Sequence, residues 1–572
     1  MSSRQSNRLR KLASAALCYE VGVRGNTCFE NGQYDQAMKC YTEVLRKAGE
    51  GNQRHIAARA LLNIGNVFFR KGDTSKSFQA FAVALRLAKS LLASDQHNHK
   101  TSISSNSINN YGIGSSESGG SSVGTCPSES DASTIIYISL VADSLHNIAV
   151  IQMQQELFEE ALAHYSEALL LRRQCLEYTS SSRGSKSFED RSMEMDKNNV
   201  QDHKTDDASH DDDDDIDDNG DDDVDRILLE ISEALNHIGM CSEKVGKYED
   251  ALAAYEESIK IRTSILGPMH LLVAESYLNL GGCYTDIANY AAAKDHYNKC
   301  LSIRISELGK HHPEVSDTLT LMAILYLRQD RLNEALTTCT QAIEAAVTAQ
   351  HHSSSGAAII LPVEPLTIAN AVNTMGMIME KLGFLDSALH NYTESLKVKT
   401  KLLGGKASTV ASTLHNIGNI YFHNEDYDSA MMAYMEALEI MDALQQQGDV
   451  KSVTTWNNIG LTYTDQKKYD DAVTYHTRAL KALRESSRRA DKLMIAETYN
   501  YLGLALKGKG KHEEANENFS RALDIYKRCD SSGSGGFNYQ TIPQPYSEAV
   551  ALTDAYHSPA VVLDTSGDEG TI

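Results

Sequence analysis

Apolar residues along most of this chain recur three and four apart, the spacing of one face of an α-helix. The helical blocks come in pairs, separated by short polar breaks such as KVGKYED and KGDTSKS. The pairing itself repeats. From Gly239 in LNHIGMCSEKVGKYEDALAAYEES, the pattern returns at Gly281, Ala323, Gly376, Gly418, Gly460 and Gly503, at spacings of 42, 42, 53, 42, 42 and 43 residues. Upstream, Gly25 and Gly65 stand 40 apart, and Ala149 takes the same place after an insertion, which makes ten units.

Every unit is built alike around this anchor. Twelve residues later stands a small residue: Ala37, Ala161, Ala251, Ala293, Ala335, Ala388, Ala430, Ala472 and Ala515, with Ser77 the variant. Sixteen later is usually an aromatic: Tyr41, Phe81, Tyr165, Tyr255, Tyr297, Tyr392, Tyr434 and Phe519. Nineteen later is again small, as at Ala84, Ala168, Ala437 and Ala522. Small residues let two helix axes approach to about 8 Å, and the aromatic fills the gap toward the next pair. None of the eight prolines interrupts a proposed helix. One pair cannot cover its own apolar faces, so neighbouring pairs must share a core. The expectation is an all-α protein, a right-handed superhelical solenoid of about ten helix-turn-helix repeats.

Composition places the repeats and the segments between them. Residues 1–17 form an N-terminal segment, basic and rich in serine. Repeats 1–2 occupy 18–93, repeat 3 occupies 134–178, repeats 4–6 occupy 226–349 and repeats 7–10 occupy 363–529, with a loop at 350–362. A Ser/Gly/Asn-rich insert at 94–133, an acidic insert at 179–225 and a tail at 530–572 have too little apolar surface to fold alone, so disorder is expected there. Net charge is −23, and residues 177–225 alone hold 19 acidic and 5 basic side chains. That balance argues against a nucleic-acid partner. No apolar run is read as approaching a bilayer span, so no membrane insertion is expected and the cytoplasm is the expected location. The ten cysteines include no C-x-x-C pair, and Cys241, Cys300 and Cys339 read as buried thiols.

The anchor glycines, the small residues and the aromatics together resemble the tetratricopeptide repeat. Trp456, four before Gly460, stands where that consensus has a tryptophan. The 42-residue period is most similar to the lengthened repeats of kinesin light chains and nephrocystin-3-type proteins, and SIRISELGKHHPEVSDTLTLMAILYLRQDRLNEAL closely resembles a kinesin light chain repeat. The resemblance implies a non-catalytic scaffold or adaptor that binds proteins as extended motifs or helices. Microtubule-motor, ciliary or signalling components are the implied partners, with an association with the cytoskeleton. Kinesin light chains carry a long heptad segment before their repeats, whereas only about 17 residues precede them here, too few for heptads. The alternatives are a co-chaperone gripping chaperone C-termini and a sensor module of an enzyme or signalling complex.

The implied groove is lined by the first helix of each pair. Two before the anchor stand Asn63, Asn147, Asn279, Asn416 and Asn458; three before stand Asn236, Asn373, Asn457 and Asn500; Asn66 and Asn419 follow it directly. Asparagine is a mediocre helix former, so its recurrence inside helices needs a reason. A primary amide offers a donor and an acceptor together and can bracket a peptide group. The same amides could instead bond neighbouring helices and set the repeat geometry. A chaperone clamp would need basic residues that are missing: Gly22 stands for the lysine, and Asp143 and Asn147 for the next pair.

Other chemistry is weakly signalled. In ELGKHHPEV, His311, His312 and Glu314 invite a metal reading, but aligned connections end in Gly267, Gly309 and Gly404, each fourteen before an anchor. The stretch therefore reads as helix punctuation, with Gly309 ending one helix and Pro313 starting the next. Asp215, Asp217, Asn219 and Gly220 imitate the start of a calcium loop, but Arg226 replaces its last ligand. Gly503–Lys509 has the spacing of a phosphate loop without the following Ser or Thr. No catalytic residue, cofactor or metal is expected.

Overall fold

The computed structural model describes residues 3–106, 129–183, 219–353, 365–444, 450–485 and 491–530. These form twenty α-helices in ten pairs and, among the described residues, no strand. The pairs are α1 (Ser3–Glu30) with α2 (Tyr34–Glu50), α3 (Arg54–Arg70) with α4 (Thr74–Asn106), and α5 (Glu129–Gln154) with α6 (Phe158–Arg183). Next come α7 (Asn219–Val245) with α8 (Tyr248–Leu266), α9 (Leu271–Asp286) with α10 (Tyr290–Leu308), and α11 (Pro313–Arg328) with α12 (Leu332–Ser353). The last are α13 (Pro365–Lys381) with α14 (Leu385–Leu403), α15 (Ser408–His423) with α16 (Tyr427–Ala443), α17 (Val450–Asp465) with α18 (Tyr469–Glu485), and α19 (Asp491–Gly508) with α20 (His512–Asp530). The chain divides into two compact units, Met1–Cys283 and Tyr284–Ile572, with the division inside α9.

Within each unit the second helix of one pair packs on the first helix of the next, as α4 does on α5 and α14 on α15. Cores are shared accordingly. One joins Leu62 and Phe81 to Leu140, Leu145 and Ile151; another joins Leu414 and Tyr434 to Val453, Trp456 and Leu483. The small residues twelve after the anchor are fully enclosed, from Ala37 to Ala515. Ser77, the variant, turns its hydroxyl onto the carbonyl of anchor Gly65 at 2.9 Å. The thiols of Cys241, Cys300 and Cys339 are buried, and burial pushes Cys241 and Cys339 up to about 12.

All ten turns inside the pairs use one device. The residue seven after the anchor has positive φ: Gly32, Gly72, Gly246, Gly383 and Gly510, but also Glu156, Ala288, Asp330, Glu425 and Lys467. At Gly246 its N–H reaches the carbonyl of Glu243 at 3.0 Å, and the following Lys247 N–H reaches Ser242 at 2.8 Å. These two bonds close the helix end against water.

Between pairs, the histidine stretch is helix punctuation. His312 caps α11, its Nδ1 accepting from the Glu314 N–H at 3.3 Å, and Pro313 opens the helix. His270 does the same for the Leu272 N–H at 3.1 Å. Gly309 has φ 83° and ψ 155°. Its φ is positive as expected, but its ψ places it in an extended region that essentially only glycine occupies.

The helix bounds differ from the repeat bounds read from the sequence, and one apolar stretch is longer than expected. The helices overrun the inserts: α1 begins at Ser3 inside the expected N-terminal segment, α4 continues to Asn106, α6 to Arg183 and α12 to Ser353, while α5 and α7 begin at Glu129 and Asn219. Once a helix is nucleated, each further residue adds one hydrogen bond, so a poorly apolar stretch can extend it. Asn219 and Gly220 of the calcium-loop imitation therefore belong to α7. Asp215 and Asp217 lie outside the described residues, as do 107–128, 184–218, 354–364 and the tail from 531. The stretch Ser133–Gln154 of α5 is also long and apolar enough to cross a membrane, with a mean hydropathy of 1.6, and 61% of its apolar window is buried in the protein. A helix packed on both α4 and α6 needs apolar residues nearly all round.

Candidate functional site

Two tyrosine–asparagine rungs stand out on the first helices. In the first unit, Tyr41 Oη donates to Asn26 Oδ1 at 2.8 Å, and Asn63 Nδ2 approaches the same oxygen at 3.5 Å. In the second, Tyr434 Oη and Asn458 Nδ2 both donate to Asn419 Oδ1, each at 2.8 Å. Each rung links a second-helix tyrosine to one pair's Asn and to the next pair's Asn. With its oxygen held by two donors, the amide of Asn26 or Asn419 cannot flip. Its Nδ2 makes no hydrogen bond among the described residues, and neither does the oxygen of Asn63 or Asn458. Each rung thus leaves one oriented donor and one oriented acceptor, the pair a peptide group requires.

The remaining asparagines sort by position. Asn236, Asn457 and Asn500, three before their anchors, are buried. Asn236 accepts from Asn279 Nδ2 at 3.2 Å; Asn457 donates to Thr498 at 2.8 Å and faces His476 Nδ1 at 3.1 Å. Asn373 accepts from Thr413 at 3.2 Å. The helical step of about 100° per residue turns this position into the interface between helices. The position two before the anchor is half-buried instead, at Asn63, Asn147, Asn279, Asn416 and Asn458. Asn416 makes no side-chain hydrogen bond among the described residues. The structure buries Asn236, Asn457 and Asn500 but leaves Asn373 half-buried, like the asparagines two before the anchor.

In the first unit Asn26, Asn63, Asn66 and Asn147 share a cavity of about 370 Å³ with Arg59 and Asp143. Asn26, Arg59 and Asn63 also border a second hollow of about 290 Å³, whose wall is apolar at Tyr19, Val23, Ile56, Ile136 and Leu140. Arg172 is buried beneath the first cavity, 3.7 Å from Asp143 and 3.5 Å from Glu230. Burial pushes the Asp143 carboxyl up and the nearby guanidiniums oppose it. Burial also holds His146 well below its usual range and lowers His415 to about 4.

Sequence reasoning missed two features. One is a series of buried basic residues 23 after the anchor: Arg172, Arg262, Arg304 and Lys399. Arg304 shows their role, since its Nη1 donates to the Glu314 carbonyl and to Thr318 Oγ1, both at 2.8 Å, bracing one pair against the next. The period would have revealed them. The other is His146, Glu233 and His237, which converge from α5 and α7 although the acidic insert separates them in sequence. The phosphate-loop imitation is explained by packing: Gly503 is the anchor under Phe519, whose ring lies 2.5 Å from where a Cβ would stand.

The tetratricopeptide repeat family matches residues 16–90, 230–306, 289–346, 367–443 and 452–528, and a second tetratricopeptide repeat description matches 141–177. Among solved structures, BtubC (BKLC) from P. vanneervenii is similar at 19% identity over 51% of this chain and 99% of that one, with a TM-score of 0.34. The apo form of RapI is similar at 14% identity over 52% and 99%, with a TM-score of 0.39. A putative kinesin light chain with nearly identical TPR-like repeats from Podosopora anserina is similar at 14% identity over 38% and 98%, with a TM-score of 0.30. No curated protein sequence matches the chain.

Proposed function

The chain belongs to the tetratricopeptide repeat family, and from that premise we propose that it is a non-catalytic scaffold that holds extended segments of partner proteins by their main chain. The observation that carries this reading is the rung geometry. Asn26 with Asn63, and Asn419 with Asn458, each leave a fixed donor and a fixed acceptor, as a peptide backbone would require. Main-chain bonds supply sequence-tolerant affinity, and the apolar hollow beside Tyr19 and Ile136 supplies side-chain selection. The finer version is a cargo adaptor of kinesin light chain type, supported by the 42-residue period and the ELGKHHPEV connection. The chaperone clamp has less support, because Gly22 and Asp143 stand where it needs cations.

The test begins by selecting peptide ligands for the full-length chain from a random library. Their affinity is then measured for wild type, Asn416→Ala/Asn458→Ala and Asn63→Ala/Asn147→Ala. A loss of at least about tenfold in one double variant with unchanged circular dichroism is expected, from the roughly 1.4 kcal/mol that two lost hydrogen bonds remove. Affinity equal to wild type in both would refute the groove reading. Selection only of peptides that need a free C-terminal carboxylate would favour the clamp, and recovery of a motor heavy chain in pull-downs would favour the adaptor.

A further inference from the structure

We propose that His146, Glu233 and His237 form a binding site for a divalent transition-metal ion of the zinc class. Their ligand atoms lie within 4.8 Å of one another. Glu233 and His237 are four apart on α7, so one helix face supplies two ligands and α5 the third. Tetrahedral zinc would bring such atoms to about 3.4 Å apart. Glu233 is exposed, so rotation of its side chain can bring the carboxylate toward the two imidazoles. This inference does not depend on the peptide reading.

The surroundings favour such an ion. His237 Nδ1 lies 3.0 Å from the Glu233 carbonyl. Donation there leaves the Nε2 lone pair free, the arrangement in which a backbone carbonyl orients a metal-binding imidazole. Among the described residues the Glu233 carboxylate has no Lys or Arg within ion-pair distance and only His146 Nε2 at 3.8 Å. Tyr165 is fully enclosed and its hydroxyl makes no hydrogen bond among the described residues, because Val150 and Met153 occupy the positions from which other repeats bond the tyrosine. Its ring stacks on His237 with centroids 5.0 Å apart and meets His146 edge-on at 5.2 Å, which walls the cluster on one side. His146 and Glu233 open on the other side into the 370 Å³ cavity, where water or a partner's side chain can take a fourth position.

Arg172 is the group that opposes binding. Its Nη1 lies 3.2 Å from His146 Nδ1, which must accept from it. A metal at Nε2 places the proton on Nδ1 and displaces the guanidinium. Asp143 at 3.7 Å and Glu230 at 3.5 Å already pair with it and hold it as it shifts, while the 3.4 Å bond from Nη1 to the Glu230 carbonyl is the contact at stake. Two imidazoles and one carboxylate select zinc, cobalt, nickel or copper over calcium and magnesium, which require oxygen-rich sites.

The experiment uses the full-length chain stripped of metal, titrated with Zn²⁺ by calorimetry and with Co²⁺ by visible absorption. His146 is buried and its removal would test the fold as well, so Glu233→Gln and His237→Ala carry the test. The expected result is one ion per chain, bound at least tenfold more weakly by each variant with unchanged circular dichroism, and a Co²⁺ spectrum without thiolate charge transfer. Zn²⁺ binding equal in wild type and both variants, or absent from wild type, would overturn the proposal. So would a Co²⁺ spectrum dominated by thiolate bands.

Discussion

The Cε1 atom of Tyr434 lies 2.5 Å from the point that a Cβ on Gly418 would occupy. The same approach recurs between Gly65 and Phe81 at 2.4 Å, and between Gly376 and Tyr392 at 2.7 Å. Where the anchor is Ala323, the partner sixteen later shrinks to Cys339, although Ala149 is enclosed together with a full tyrosine, Tyr165. At Gly418 the missing Cβ lets the Tyr434 ring lie this close, and its hydroxyl reaches Asn419. Gly418→Ala should destabilise the second unit by about 1–3 kcal/mol through overpacking. Gly418→Ala combined with Tyr434→Cys, the pairing found at Ala323 and Cys339, should recover part of that loss. Urea unfolding midpoints of the two variants check this.

The turns hold unused stability. Glu156 and Ala288 both sit at φ 61°, which five other repeats give to glycine. A left-handed non-glycine residue costs roughly 1–2 kcal/mol locally, offset in part by the greater unfolded-state freedom of glycine. Glu156→Gly and Ala288→Gly should each raise stability by a few tenths to about 1 kcal/mol. A lowered thermal midpoint for both would mean that the native turn is not strained.

His476 takes the place of the aromatic in the ninth repeat, fully enclosed, and burial lowers its pKa to about 3. The unfolded chain gains a proton there near pH 6.5 while the folded chain stays neutral. Stability is therefore complete above about pH 6.5 and falls as the pH drops toward the folded value, by at most about 1.4 kcal/mol per pH unit for this residue. His415, lowered to about 4, adds to the slope in the same direction. His476→Phe, which supplies the residue found at Phe81 and Phe519, should flatten the dependence between pH 6.5 and 5. Chemical denaturation midpoints across that window measure it.

Much of this was legible because the physics repeats. Ten anchors, ten small partners and eight aromatics reveal ten helix pairs before any coordinate is known, and Gly309 with Pro313 reads as punctuation from its copies. What stayed hidden depends on rotation about a helix or on contacts distant in sequence. Asn457 and Asn458 are adjacent residues, yet one is buried against Thr498 while the other reaches Asn419 on the rung. Sequence periodicity alone did not separate them, because both recur with the repeat. The overrun of α4 to Asn106 escaped for the opposite reason: no apolar pattern marks it, and only continuity of backbone bonding extends the helix. The cluster of His146, Glu233 and His237 is created by bringing α5 and α7 together across an insert that the pattern could not bridge.

In the proposed binding mode, oriented amides hold a partner's backbone rather than its side chains. Its most direct test is an N-methyl scan of a peptide selected on the full-length chain, set beside an alanine scan of the same peptide. N-methylation at one or two positions should abolish binding while alanine at those positions changes it little, and the sensitivity should vanish in Asn458→Ala or Asn63→Ala, which remove the oxygens that accept from the peptide N–H. Binding that tolerates methylation at every backbone nitrogen, and falls only with side-chain truncation, would contradict the account.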